Sequence, residues 1–301
     1  MIEIAPSYYK KFSCIADKCK HNCCIGWEID VDEETLVKYN ALSTPLGERI
    51  RNNIEGNPPH FVLGENERCP FLNKSNLCDI ISEKGETYLC EICKLHPRFR
   101  NFYTDFYETG LGLCCEEAVR IILSETDKFS IVSPENVKIS DEERAFFEER
   151  THIFAVLQNR NKTILSRFRK LATEYGFEFN FDLCDVKARM LSLERLDDVW
   201  TNELEKISDK SFDKSVFENE IFSVALEQLS VYFIFRHLPL TLEFMTYSEC
   251  VKFALVSCFV IGVLWQSNNC VSLDEKALDL VRMFSSEVEY SEENTEMLMC
   301  F

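Results

Sequence analysis

Cysteines are the residues of this 301-residue chain whose type and spacing point most directly to chemistry. Ten of the fifteen lie before residue 116, in four groups. The groups are Cys14, Cys19, Cys23 and Cys24; Cys69 and Cys78; Cys90 and Cys93; and Cys114 and Cys115. Thiolates are soft ligands that suit Zn²⁺ and iron–sulfur clusters. A close pair such as Cys90 and Cys93 lets one turn deliver two sulfurs to one centre. We therefore predict a metal centre in this part of the chain, with all ten cysteines as candidate ligands.

The spacing favours an iron–sulfur cluster, with zinc as the alternative. Structural zinc modules usually show two C-x₂₋₄-C pairs. The adjacent pairs Cys23-Cys24 and Cys114-Cys115 do not suit one small ion, because neighbouring side chains diverge. Two other interpretations are ten unligated thiols and a catalytic Cys–His pair, although no single cysteine is marked as a nucleophile. His96, before Pro97, is either a ligand or base or a residue that orders the loop, and we favour the loop role.

The five remaining cysteines are scattered singly and carry no ligand pattern. We predict that they are small buried hydrophobic residues. They are Cys184, Cys250, Cys258, Cys270 and Cys300.

Composition and charge limit the classes of function. The chain has 24 Phe but only 9 Gly and 8 Pro, which favours a helical protein with large packed faces. Its net charge of −18 repels phosphate backbones and anionic lipid surfaces, so we expect neither nucleic acid nor a membrane as a partner.

The location that we predict is the cytoplasm. The chain starts without a basic segment followed by an apolar one, so it does not begin with a secretory leader. Its longest apolar stretch, Phe253 to Trp265, has 13 residues and fits a buried helix better than a membrane span. In the cytoplasm thiols stay reduced, so dense cysteines indicate metal or redox chemistry before disulfides.

The elements that must position these cysteines are predicted to be short. Asp32 begins a helix that runs through Tyr39, and residues 43–67 are mostly loop because of their Pro and Gly content. Aromatic residues in 101–113 indicate one or two short strands.

Apolar residues recur at helical spacing from about Pro134 onward, with a capping box at Ser140–Glu143 and a stop at Gly176. The predicted helices cover Phe146–Leu157, Ile164–Tyr175, Val186–Leu204, Phe222–Phe233, the apolar run around Cys258, and a last helix capped at Ser272–Glu275 that runs through Phe284. The predicted fold is mainly α: a cysteine-rich metal-binding part with little regular structure (1–125), followed by a helical bundle (126–301).

Four motifs resemble the flagellin lysine-N-methylase family of bacteria. They are Cys-x₄-Cys-x₃-Cys-Cys-x-Gly-Trp-x-Ile-x-Val-Asp from Cys14 to Asp32, Cys-Pro-Phe-Leu from Cys69 to Leu72, Leu-Cys-Asp-Ile from Leu77 to Ile80, and Leu-Cys-x-x-Cys-x-x-His-Pro-Arg from Leu89 to Arg98. The same residues resemble a zinc- or iron-chelating C-x₃-C-x₂-C-C domain family. The match covers about the first 120 residues. In this chain Cys19-x₃-Cys23 is followed at once by Cys24, and the C-x₃-C-x₂-C loop of radical enzymes is absent because position 26 is Gly26.

The resemblance implies an enzyme that transfers a methyl group from S-adenosylmethionine to lysine ε-amines of flagellin. There is no G-x-G-x-x-G loop of the dinucleotide-binding type. Sequence identifies no catalytic or cofactor-binding residue. Tyr103, Asp105, Tyr107 and Glu108 are candidates for orienting the amine, but we favour the interpretation that they form an aromatic packing segment.

Three classes of function remain open. The protein-lysine methylase leads on the resemblance. The second is a non-catalytic metal-binding module whose helices grip a partner, and the third is a redox protein that uses the cluster. Binding of S-adenosylmethionine would separate the first class from the others, and reversible reduction of the centre would identify the third.

Overall fold

The computed structural model of the chain describes residues 1–132, 137–208 and 214–299. Its strands are β1 (Ile2–Pro6), β2 (Ile54–Glu55), β3 (His60–Phe61), β4 (Arg98–Phe102), β5 (Phe106–Leu111) and β6 (Ile131–Val132). Its α-helices are α1 (Glu33–Asn40), α2 (Pro45–Arg51), α3 (Asp79–Lys84), α4 (Glu91–Leu95), α5 (Glu116–Ser124), α6 (Asp141–Leu157), α7 (Ile164–Glu174), α8 (Leu183–Ser192), α9 (Asp198–Glu205), α10 (Ser215–Glu218), α11 (Glu220–His237), α12 (Tyr247–Ser267), α13 (Glu275–Phe284) and α14 (Glu292–Met299). The predicted fold class, mainly α after a cysteine-rich part with few regular elements, is confirmed.

The chain divides into two compact units, which we call the cysteine-rich unit (Ser13–Arg98) and the helical unit (Met1–Phe12 with Phe99–Phe301). The cysteine-rich unit therefore ends at Arg98, whereas we predicted a boundary at residue 125. The first twelve residues lie in the helical unit because β1 pairs in parallel with β5, with Ile2 opposite Phe106. That pairing joins segments about a hundred residues apart, so no local sequence pattern predicts it.

The cysteine-rich unit is built from short helices and turns around a small apolar core. The predicted helix at Asp32 is confirmed as α1, because the Asp32 carboxylate accepts the Thr35 N–H at 2.9 Å as an N-cap. The prediction of mostly loop over 43–67 is wrong where Thr44 caps α2 and where the short strands β2 and β3 pair. The buried core includes Ile29, Val31, Tyr39, Leu46, Ile50, Phe61, Cys69, Phe71, Leu72, Ile80 and Cys90.

The helical unit contains a four-stranded sheet in the order β4-β5-β1-β6 and ten of the described helices. Strands β4 and β5 confirm the strands predicted in 101–113. The capping box at Ser140 is present at the start of α6, with Ser140 and Glu143 bonding each other's backbone N–H groups. The predicted helices at Ile164, at Phe222, around Cys258 and through Phe284 correspond to α7, α11, α12 and α13. Pro134, the predicted start of this region, lies outside the described residues.

One predicted helix is wrong and several were missed. The segment Val186–Leu204 forms two helices, α8 and α9, because Leu193 is extended and Asp197 caps a new helix through the Trp200 N–H. Helices α5 and α14 and a π-helical turn at Ser285–Glu289 were not predicted.

Helix α12 is the centre of the helical unit. It runs for 21 residues, longer than the 13-residue apolar stretch that predicted it, because a Thr246–Glu249 capping box starts it earlier. Among the helices of the described residues, α12 alone is both long enough and apolar enough to cross a membrane. However, 83% of its most apolar 18-residue window is buried in the protein. This burial is what a core helix shows, and it agrees with the predicted burial of the apolar run.

Candidate metal centre

Two segments of the cysteine-rich unit, around Cys24 and around Cys69, lie side by side. The Cys69 N–H donates to the Cys24 carbonyl at 2.8 Å, and Ile25 bridges to Arg68 in antiparallel fashion. Gly26, with a positive φ of 90°, turns the chain after the pair, and its N–H bonds the Glu67 carbonyl at 3.1 Å. The local backbone therefore brings the first and second cysteine groups of the sequence together.

The loop that leads from Cys69 to Cys78 is closed by polar contacts. Leu72 and Cys78 form an antiparallel bridge, and the Asp79 N–H donates to the Phe71 carbonyl at 2.8 Å. The Arg68 guanidinium donates to the Asn73 carbonyl at 2.7 Å inside the same loop. Cys78 thereby returns to the start of α3, beside the Cys-Pro-Phe-Leu segment.

Cys90 and Cys93 are placed by α4. Cys90 is the residue that precedes the helix, and Cys93 is one turn later on the same face. The Cys93 thiol hydrogen-bonds the Cys90 sulfur, which lowers the pKa of Cys90. The C-x-x-C spacing thus delivers two sulfurs to one place, as the sequence predicted.

Six thiols of this unit share one region. The Cys24 thiol hydrogen-bonds Cys23 and lowers the pKa of Cys23 to about 7. Burial raises the pKa of Cys69 to about 11, and the charges of Cys78 and Cys90 also act on it. The charges of Cys24 and Cys69 in turn act on the pKa of Cys93. The grouped thiols, called the six-cysteine cluster below, are Cys23, Cys24, Cys69, Cys78, Cys90 and Cys93.

The six thiols of this cluster have the right chemistry to bind a metal centre. Iron–sulfur and zinc sites both use soft sulfur ligands of this kind. Among residues 1–132, 137–208 and 214–299, no three His, Cys, Asp or Glu side chains converge closely enough to hold one metal ion. The sulfurs meet instead as the hydrogen-bonded pairs Cys23–Cys24 and Cys90–Cys93.

The other four predicted ligands are not part of this grouping. Cys14 is exposed on a turn, where its sulfur accepts the Ala16 N–H, and the Cys19 thiol donates to the His21 carbonyl at 3.3 Å. Cys114 and Cys115 belong to the helical unit, where they precede α5.

His96 lies in the loop after α4, and its ring packs against Trp27 with 6.0 Å between the ring centroids. Burial, with a smaller effect from Arg98, lowers the pKa of His96 to about 4, so its imidazole is neutral near pH 7. The packing against Trp27 agrees with the role in ordering the loop that we favoured.

The scattered cysteines mostly behave as buried hydrophobic residues. Cys250, Cys258 and Cys270 are buried, and burial raises the pKa of Cys250 to about 12. Cys184 contradicts the prediction, because it is exposed in the first turn of α8. Cys300 lies outside the described residues.

Two of the candidate amine-orienting residues, Glu108 and Tyr103, are hydrogen-bonded to each other, and Glu108 forms a buried ion pair with Arg150. The Glu108 carboxylate accepts two hydrogen bonds from the Arg150 guanidinium, at 2.6 and 2.7 Å, and a third from the Tyr103 hydroxyl at 3.0 Å. Both charged side chains are almost fully buried. Tyr107 packs on Phe102 and lies under the Arg100 guanidinium. These contacts match the interpretation that the segment packs in the core. The partner of the Glu108 carboxylate is Arg150, a residue that the sequence gave no reason to select.

The comparisons find the same resemblances as the cysteine motifs. Residues 13–110 match the model of the CxxCxxCC family, described as a zinc- or iron-chelating domain. The family's name gives the spacing C-x₂-C-x₂-C-C, in place of the C-x₃-C-x₂-C-C that we expected. The matched range holds the six-cysteine cluster.

Part of the chain is similar to proteins named Lysine-N-methylase. Proteins named Lysine-N-methylase from Salmonella typhimurium and Salmonella choleraesuis are 28% identical over 137 residues, which cover 42% of this chain and 33% of each relative. The protein named Flagellar biosynthetic protein FliU from Salmonella muenchen is 28% identical over 137 residues, which cover 79% of it. The match therefore spans about a third of the length of the two methylases. No solved structure matches the chain.

Proposed function

We propose that this chain is a protein-lysine N-methyltransferase that uses S-adenosylmethionine, acts on flagellin and carries an iron–sulfur centre in its cysteine-rich unit. One observation carries the proposal. The segment whose fold groups six thiols is the segment that matches a metal-chelating family, in a chain similar to proteins named Lysine-N-methylase and FliU. The proposed location is the cytoplasm, without nucleic acid or membrane as a partner.

The six-cysteine cluster is the proposed source of the metal ligands. Cys69 and Cys90 are buried, Cys24, Cys78 and Cys93 are partly buried on the same core, and Cys23 is exposed, so a bound centre would be shielded from water on the side of that core. Cys14, Cys19, Cys114 and Cys115, which we also predicted as ligands, remain candidates that substitution can test. The rest of the fold would hold the sulfurs in place through the bridges at Ile25–Arg68 and Leu72–Cys78.

The spacing of the thiols supports iron–sulfur over zinc. A single tetrahedral zinc ion draws its four ligands onto one small sphere. A cluster of several iron atoms takes its thiolates from a wider shell, because each sulfur binds a different iron. The adjacent cysteines Cys23 and Cys24 suit the wider arrangement, because neighbouring side chains diverge. Zinc remains the alternative metal.

Methyl transfer makes two demands on the protein. S-adenosylmethionine, when bound, supplies an electrophilic methyl group, and the lysine amine must be neutral to attack it, so its pKa must fall on docking. The reacting atoms must also be aligned, which is a positioning task. The net charge of −18 would draw a lysine side chain toward the protein. Glu108 is not available as a base, because Arg150 and Tyr103 already occupy its carboxylate.

The test is incubation of metal-replete protein, purified without oxygen, with flagellin from the same organism and S-adenosylmethionine carrying a deuterated methyl group. We expect added mass on flagellin lysines, at a rate that increases with pH through the neutral range as the amine loses its proton. Cys93→Ser should abolish the reaction, and Cys258→Ser is the matched control. If metal-replete protein neither binds S-adenosylmethionine nor modifies flagellin, the methylase is excluded. The interaction module would then be the better description, or the redox protein if the centre reduces reversibly.

A further inference from the structure

Helix α1 is tied to the Cys90–Cys93 turn at both of its ends. At its start, the second oxygen of the Asp32 carboxylate accepts the N–H of Glu91, the residue after Cys90, at 2.8 Å. Near its end, the Tyr39 hydroxyl donates a hydrogen bond to the Tyr88 carbonyl oxygen at 2.6 Å, and the hydroxyl oxygen lies 3.5 Å from the Cys90 sulfur. Asp32 and Tyr39 are seven residues apart, which is about two helical turns, so both face the same side of α1.

The environment of the Tyr39 hydroxyl leaves it few partners. The Tyr39 side chain is 0% exposed and Cys90 is 1% exposed. The Tyr39 ring stacks on Phe61, with 6.2 Å between the ring centroids. A buried hydroxyl that loses its hydrogen bonds is costly, so the Tyr39 proton must go to the Tyr88 carbonyl, to the Cys90 sulfur, or to both.

We propose that Tyr39 is a positioning residue for the metal centre, whose hydroxyl donates a hydrogen bond to the Cys90 thiolate when that sulfur binds metal. The inference rests on the proposed function, in that Cys90 must be a ligand. A metal-bound thiolate has no proton, so the hydroxyl must be the donor of the pair at 3.5 Å and must share its one proton between the sulfur and the Tyr88 carbonyl. Such a bond fixes the direction of the sulfur lone pairs and removes some of their negative charge.

Two consequences follow for the bound centre. The bond should slow loss of metal, because a fixed sulfur does not swing away from it. If the centre is iron–sulfur, the bond should also raise its midpoint potential, because lower charge on the sulfur stabilises the reduced form. Neither effect requires Tyr39 to touch the substrate.

The test compares Tyr39→Phe with Tyr88→Phe in the full chain. Tyr39→Phe keeps the ring and its packing on Phe61 but removes the hydroxyl. Tyr88 packs on the same core, and its own hydroxyl makes no hydrogen bond among the described residues, so Tyr88→Phe is a matched control. We expect faster metal loss to excess EDTA in Tyr39→Phe, with a metal affinity lowered about 10- to 100-fold, the usual effect of removing an outer-shell partner, and no change in Tyr88→Phe. The midpoint potential of an iron centre should fall in Tyr39→Phe alone.

A double-mutant cycle separates this role from general destabilisation. If the hydroxyl acts through Cys90, adding Tyr39→Phe to Cys90→Ser should not increase metal loss further, whereas independent effects would add. Metal loss and potential equal to wild type in Tyr39→Phe would overturn the inference and leave the proposed metal centre intact. Full additivity with Cys90→Ser would also overturn it. A wild-type chain that takes up no metal would overturn both proposals.

Discussion

Cys69 and Cys258 are both buried thiols whose pKa is raised by burial, yet we assign them different roles. The difference lies in their neighbours. The charges of Cys78 and Cys90 act on the pKa of Cys69 in addition to burial. Burial alone acts on the pKa of Cys258, which lies in α12. Burial therefore does not identify a ligand, and the grouping of sulfurs does.

Serine substitution should separate the two kinds of cysteine. We expect Cys93→Ser to lower the metal content of anaerobically purified protein, because serine does not replace a thiolate on a soft metal. Cys258→Ser should leave the metal content unchanged. Metal and acid-labile sulfide analysis of both variants is the measurement. Equal metal loss in both would contradict the division between grouped and scattered cysteines.

The buried pair of Glu108 and Arg150 should respond strongly to loss of one charge. Glu108→Gln leaves the Arg150 guanidinium buried without its counter-ion, so we expect the free energy of unfolding to fall by about 3–5 kcal/mol. Urea unfolding followed by circular dichroism measures it. The control is Glu34→Gln, which removes an exposed pair with Lys38 and should cause no measurable change. A wild-type midpoint in Glu108→Gln would mean that the pair does not stabilise the fold.

These residues also show what sequence can reveal about a site. The cysteines could be predicted as ligands because their type and their short spacing are themselves the signal. Arg150 could not be predicted as the partner of Glu108, because 42 residues separate them and the pairing exists only in the tertiary structure. The position of Tyr39, two turns after the Asp32 cap, indicates from sequence that both residues lie on one side of α1. Its contact with Cys90 depends on how α1 packs and could not be predicted.

At the level of elements, caps were the most reliable predictors. The Ser140–Glu143 box and the Asp32 cap each started a helix where expected, since a side chain that satisfies the first free N–H groups acts locally. The break between α8 and α9 was missed, because apolar residues on both sides keep helical spacing while Asp197 starts a second helix. Periodicity alone does not reveal such an interruption.

Helix α12 packs closely against Phe217, and Gly262 makes this approach possible. A Cβ atom at position 262 would lie 2.4 Å from the tip of the Phe217 ring and 3.0 Å from two more of its atoms. Phe217 is buried and its ring stacks on Phe259, so it has little room to move. The glycine is therefore required by packing and not by backbone conformation.

Gly262→Ala should destabilise the protein although alanine is the better helix former. Overpacking costs about 1–3 kcal/mol, against a gain of about 1 kcal/mol in helix propensity. The measurement is the urea midpoint of the helical signal. In a Phe217→Leu background, the smaller side chain should remove most of the penalty of Gly262→Ala. If the penalty is the same in both backgrounds, the contact with Phe217 is not its cause.

For the whole molecule, the two units differ in how much apolar surface they bury. The cysteine-rich unit has eleven buried apolar side chains in its core, and the helical unit has several times as many in the core around α11 and α12. A small core is marginal without an additional link such as a metal. The order of the parts could be predicted from sequence. The pairing of β1 with β5 could not, because it depends on contacts between distant segments.

Removing the metal should therefore loosen one unit and spare the other. When protein is depleted with a chelator under reducing conditions, we expect backbone amides in residues 13–98 to exchange hydrogen faster, because binding of the metal contributes to folding of that unit. Amides of α11 and α12 should keep their protection, since their packing involves no metal. Hydrogen exchange with mass spectrometry on metal-replete and metal-depleted protein measures both. Cys93→Ser should reproduce the depleted pattern and Cys258→Ser the replete one. Unchanged protection in residues 13–98 after complete metal removal would mean that this unit folds without the metal. The centre would then have to serve chemistry and not structure.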